Sequence, residues 1–219
     1  MANKPTDQLT PRRRPSQERS RDRVERILDA TSSLLGDTPV DKITTAAIAE
    51  QAGVPIGSVY QYFPNKLAIL AALARRVMEE VDLKTASLIA EDFGVLPWDH
   101  AIDRAIDATI EGFASQPGYL QLLLSIRPTP EFRAITDESY ERVAAMLAFH
   151  PALQKLIPAD RIQLVTRAAI EAANALQDWA LSEDDPELRN QIIVEMKTLL
   201  KGYLAVYMDE SSPYRRESS

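Results

Sequence analysis

Apolar positions recur at helical spacing along almost the whole chain, and clear breakers separate the runs. Val24, Ile27, Leu28, Ser32 and Leu35 form one inward stripe over about Ser16 to Leu35, with Gly36 as a natural stop. Asp37 to Ile43 reads as a turn whose Val40 and Ile43 can pack back beneath the next two helices. These two are short and flank Gly53. The first carries Ile48, Ala49 and Ala52 on one small apolar face, and the second points Val59 and Phe63 inward. A long helix is expected from Lys66 to Glu91. Gly94 to Pro97, Gln116-Pro117-Gly118 and Thr129-Pro130-Glu131 delimit further helices over Trp98 to Ser115, Tyr119 to Ile126 and Pro130 to Phe149. Two long helices, about Ala159 to Leu181 and Pro186 to Met208, complete the pattern, the last capped by Asp185.

The segment Thr44 to Leu70 is the most specific part of this pattern. Thr44 or Thr45 can N-cap the first short helix through its hydroxyl. Gly53 sits where the chain must turn sharply, and glycine takes positive φ without a Cβ clash. Pro55 suits a first helical position, and Asn65 can cap the long helix after Pro64. Gly57, Ser58, Gln61 and Tyr62 are left on or near the outer face of the second helix. With Tyr60 and the cation of Lys66, that face offers small and hydroxyl groups that can approach a phosphate backbone and bond to it. Two apolar-faced helices around a glycine also occur in ordinary bundles, but the outer face favours a helix-turn-helix that reads DNA.

Thr44, Thr45, Ile48, Ala49, Ala52-Gly53-Val54, Gly57, Tyr60, Tyr62-Phe63, Lys66 and Leu70 stand at ungapped spacing that resembles the N-terminal domain of the TetR/AcrR family of bacterial transcriptional regulators. The resemblance is strong over residues 16 to 70 and architectural beyond. It implies an all-α fold: a basic arm at 1–15, a three-helix DNA-binding domain at 16–65, a larger ligand-binding and dimerising bundle at 66–208, and a tail at 209–219. It also implies that Thr45, Ser58, Tyr60, Tyr62 and Lys66 contact mainly phosphates, while Ala46, Ile56, Gly57 and Gln61 lie close to base edges. Pro55 departs from the family pattern, where a capping serine is common, and Ala46 and Ile56 offer no hydrogen bond to a base. Base readout would then lean on thymine methyls, on Gln61 and on DNA shape.

A formal net charge of −7 looks wrong for such a role until it is divided. Residues 1–76 hold twelve Lys/Arg against eight Asp/Glu, a balance of +4, and the rest holds thirteen against twenty-four, or −11. Arg12, Arg13 and Arg14 lie just before the first helix; a basic run there also suits a solvated tail, but the family resemblance implies an N-terminal arm that can reach phosphates or an adjacent minor groove. Cysteine is absent, which excludes disulfides and thiolate metal sites. No stretch approaches the length of a membrane span and no signal-peptide core is present, so a cytoplasmic protein without a membrane partner is expected.

The final helix carries two adjacent apolar stripes and its predecessor is rich in alanine, a pattern that also suits core helices of one subunit. The family resemblance implies that these two helices pair with their two-fold mates, so a homodimer through the last two helices is expected. Two heads about 34 Å apart would match successive major grooves of a double-stranded pseudo-palindromic operator. Trp98, Phe113, Tyr119, Tyr140, Met146, Phe149, Asn174, Gln177 and Trp179 are candidates to line a pocket for a small apolar or aromatic effector. Asp99, Asp103, Asp107 and Glu111 recur every fourth residue and read as a solvated acidic face. Two histidines are too few for a metal cluster, and no cofactor is expected. No nucleophile elbow, P-loop, dinucleotide fingerprint or paired Glu-x-x-His motif is present, which argues against an enzyme. A helical interaction protein or an enzyme without operator binding remains the alternative to a ligand-responsive repressor at this point.

Overall fold

The computed structural model describes residues 18–92 and 94–208, and among these it contains ten α-helices and no strand. They are α1 (Glu18–Asp37), α2 (Thr45–Gln51), α3 (Ile56–Tyr62), α4 (Lys66–Asp92) and α5 (Trp98–Ala114), then α6 (Tyr119–Ile126), α7 (Pro130–Ala148), α8 (Pro151–Leu156), α9 (Ile162–Ser182) and α10 (Pro186–Met208). Arg12, Arg13 and Arg14, Ser16, and the tail from 209 lie outside the described residues.

The expected caps are present. Thr129 Oγ1 accepts from Phe132 N–H at 3.2 Å ahead of α7, and Asp185 Oδ1 accepts from Glu187 N–H at 3.0 Å ahead of α10. Several details differ from expectation, among them the start of α9 at Ile162 rather than about Ala159. Gly36 is the penultimate residue of α1 rather than its stop. A short helix, α8, stands where a connection was expected; Pro151 opens it and His150 Nδ1 accepts from Ala152 N–H at 3.3 Å.

The described chain divides into two compact units. One comprises residues up to Glu79 together with Phe113–Thr136, the other Glu80–Gly112 together with the chain from Asp137 onward. The first unit thus adds the first half of α4, all of α6 and the start of α7 to the three N-terminal helices, where the sequence suggested a cut at 65/66. Ten of the twelve largest fully buried side chains among the described residues belong to this unit, including Ile27, Leu35, Ile48, Phe63 and Leu122. Such a core holds the two short helices in one arrangement.

In the second unit α9 and α10 pack along each other. Leu153, Ile157, Val165 and Leu204 centre one apolar cluster, and Ile106, Met196 and Leu200 form another. The acidic series on α5 is not simply a solvated face. Lys201 Nζ donates to Asp103 at 2.9 Å and Lys197 Nζ lies 2.6 Å from Asp107. Acids four apart on α5 therefore meet lysines four apart on α10 in antiparallel order. Glu111 is exposed, as expected, and Asp99 is half-buried.

Candidate nucleic-acid interface

The helix-turn-helix is built by short-range bonds around a packed inner face. Thr44 is the cap of α2, its Oγ1 accepting from Ala47 N–H at 3.1 Å. Gly53 turns the chain at φ +62°. Arg26 reaches from α1 and donates to Ala52 O at 2.6 Å and to Gly53 O at 3.0 Å. A guanidinium at the end of α2 meets carbonyls that have no intrahelical donor, where positive charge is favoured. Pro55 precedes α3 rather than opening it, one residue from expectation, and no side chain caps this helix.

Val59 and Phe63 are fully buried, as their spacing implies. Tyr62 corrects the sequence reading: its ring is buried on the same inner face, not on the outer one. Its hydroxyl shares a hydrogen bond with Ser20 Oγ at 2.7 Å and so ties α3 to α1. Ala46, Ile56, Gly57, Tyr60 and Gln61 are exposed, with Ile56 at 42% and Tyr60 at 44%, while Thr45, Ser58 and Lys66 are half-buried. Thr45 Oγ1 and Tyr60 OH share a hydrogen bond of 2.9 Å that joins the two helices across this face.

Asn65 caps α4 by accepting from Ala68 N–H at 2.9 Å. Lys66 Nζ donates to Val40 O at 2.9 Å, so its ammonium is held beside the turn that precedes α2. Arg76 on α4 bonds both Glu25 at 3.0 Å and Asp29 at 2.7 Å on α1. Sequence reasoning missed Ser20, Arg26 and Arg76. Only contacts across the fold reveal them, because each acts on a group 26 or more residues away.

The nine candidate pocket residues do not form one cluster within either unit. Phe113 and Tyr119 stack at 4.7 Å in the first unit. Trp98 packs against the Leu153–Leu204 cluster in the second, where Gln177 is also buried. Asn174 donates to Ile170 O on its own helix at 2.9 Å. Met146, Phe149 and Trp179 are exposed rather than interior. Tyr140 lies under the Arg167 guanidinium, 5.3 Å from its ring centre, and burial with Asp178 and Glu171 nearby pushes its phenol above the usual range.

Residues 27–73 match the model for bacterial regulatory proteins of the tetR family, and residues 97–204 match the tetracyclin repressor-like C-terminal domain. A solved TetR-family transcriptional regulator from Streptomyces coelicolor is 31% identical, with a TM-score of 0.59 over 84% of this chain and 99% of that one. The HTH-type transcriptional repressor KstR of Mycolicibacterium smegmatis is 38% identical over 68 residues, which is 31% of this chain and 33% of that protein. The nucleoid occlusion factor SlmA of a Marinomonas species is 29% identical over 130 residues, 58% of this chain and 64% of that protein. The chain thus spans from a third to just under two thirds of these curated relatives. With the helix-turn-helix geometry, both domain models and a relative matched over nearly its full length in agreement, this chain belongs to the TetR family of bacterial transcriptional regulators.

Proposed function

We propose that the protein is a ligand-responsive repressor that binds a pseudo-palindromic operator as a homodimer and is released by a small apolar effector. The observation that carries the DNA contact is Gly57. It lies within α3 at an ordinary helical φ, and a Cβ there would meet nothing within 4 Å. A glycine inside a helix costs about 1 kcal/mol relative to alanine. No described residue comes close enough to need the missing Cβ, which leaves the approach of a partner as its use. Thr45, Ser58, Tyr60 and Lys66 then bond phosphates around it. Ala46, Ile56, Gly57 and Gln61 face base edges, with Ile56 placed to touch a thymine methyl. Tyr62 supports the face from behind through Ser20.

Gly202 gives the same argument for the dimer. It too lies inside a helix, on the exposed side of α10, with nothing within 4 Å of a built Cβ. Leu188, Leu199 and Val206 share its face, and α9 leaves Leu164, Ala175 and Trp179 exposed. A second copy packing these four helices together would bury that surface and bring two reading heads to one duplex. Release follows if the effector binds the DNA-bound arrangement less tightly than another, with α4, which continues from one unit into the other, as the lever.

Operator binding measured across duplex sequences tests this reading. Tyr60→Phe and Lys66→Ala should each weaken binding to all duplexes by about tenfold, because phosphate contacts carry little sequence information. Unchanged affinity in both variants removes the contact scheme.

A further inference from the structure

We propose that Gln121 is a positioning residue for DNA binding: from α6 it fixes the turn at residues 39–43 that holds Lys66. Gln121 bonds two backbone groups far back in the chain. Val40 N–H donates to its Oε1 at 3.2 Å, and its Nε2 donates to Leu35 O at 3.4 Å. The Leu35 carbonyl lies in the last turn of α1, where no intrahelical donor reaches it. The other backbone group of Val40, its carbonyl, accepts from Lys66 Nζ at 2.9 Å. Val40 is therefore gripped twice, by an α6 side chain at its N–H and by the first residue of α4 at its C=O.

The contact between α6 and α1 is closely fitted. Gly118, at φ +65°, precedes α6, and a Cβ there would lie 2.3 Å from Leu35 O. Across from it, a Cβ on Gly36 would meet Pro117 Cβ at 3.3 Å. This approach keeps the start of α6, and with it the Gln121 backbone, close to the end of α1. The consequence falls on Lys66. A lysine ammonium has three donors, and with one on Val40 O two remain for a phosphate. Without the grip on Val40 the ammonium loses its anchor and is no longer placed to reach the phosphate, so the contact and the counterion it releases are lost together. α6 thus sets the position of a phosphate-binding cation on α4 through a single residue of the intervening turn.

This inference rests on the proposed DNA contact, and the test separates the two. Duplexes are selected by the wild-type protein from a random double-stranded library, and affinity is measured over a range of salt. Gln121→Met keeps the side-chain volume and loses both hydrogen bonds. Affinity should fall about tenfold, and the slope of log K against log salt should become shallower by about two for a dimer, as for Lys66→Ala. The double variant Gln121→Met/Lys66→Ala should bind no more weakly than Lys66→Ala alone. Gln121→Glu keeps an acceptor for Val40 N–H and should recover part of the loss. Wild-type slope in Gln121→Met overturns the inference, even if that variant melts earlier, because a merely structural role lowers stability without moving the salt slope. Losses that multiply in the double variant also overturn it. Failure of the wild-type protein to enrich any duplex overturns the DNA reading itself, and this inference with it.

Discussion

Gly57 shows how much a single residue can say once its surroundings are known. The sequence marks it as a helix-weakening residue on an outer face, and the structure adds that the space around its missing side chain is open. Gly57→Ala should therefore raise folding stability by about 0.5–1 kcal/mol while weakening operator binding at least tenfold. Thermal melts and DNA titrations of the same preparation check both halves. A variant that is stabilised and still binds normally would mean that no partner approaches there. Tyr62 carries the opposite lesson. Its hydroxyl suggested an outward role, but it stands three residues after Val59 and one before Phe63, which is the spacing of the inner face. Periodicity was the better guide, because helix geometry, not side-chain chemistry, decides which way a residue points.

Helices were legible where apolar spacing was long and breakers were sharp. Thr44, Asn65, Thr129 and Asp185 all act as the caps that their positions suggest. α8 escaped because six residues are too few to show a period, although Pro151 marks its start. The pairing of two α5 acids was missed for another reason: Asp103 meets a lysine 98 residues later, and nothing local announces it. That pairing has a measurable consequence for how α5 and α10 stay together. Lys201→Met should cost about 1–2 kcal/mol, more than an exposed pair, because one Asp103 oxygen is shielded from solvent. Adding Asp103→Asn should restore more than half of the loss in a thermal melt. Losses that simply add would show that the two side chains do not depend on each other.

For the whole molecule, the all-helical fold was accessible from the chain, whereas one common cluster of the candidate pocket residues was not found. Recognition by a helix-turn-helix depends on residues close in sequence, so Thr45, Gly57 and Tyr60 could be grouped before any coordinates. A pocket depends on distant segments, and aromatic identity alone placed Phe149 and Trp179 inside when both are exposed. Trp179 instead belongs to the face proposed for the dimer. Leu199→Glu or Gly202→Leu should convert the protein to monomers in sedimentation equilibrium, with operator affinity falling about a hundredfold as the second head is lost. A wild-type protein that already sediments as a monomer would remove the dimer.

The central claim is that this chain reads a two-fold operator through α3. Selection of bound duplexes from a random double-stranded library tests it most directly. The account predicts enrichment of one pseudo-palindromic site whose half-site centres lie about one helical turn apart, with weaker enrichment of that site by Gly57→Ala. Recovery of duplexes without a shared sequence, or of a single asymmetric half-site, would contradict it.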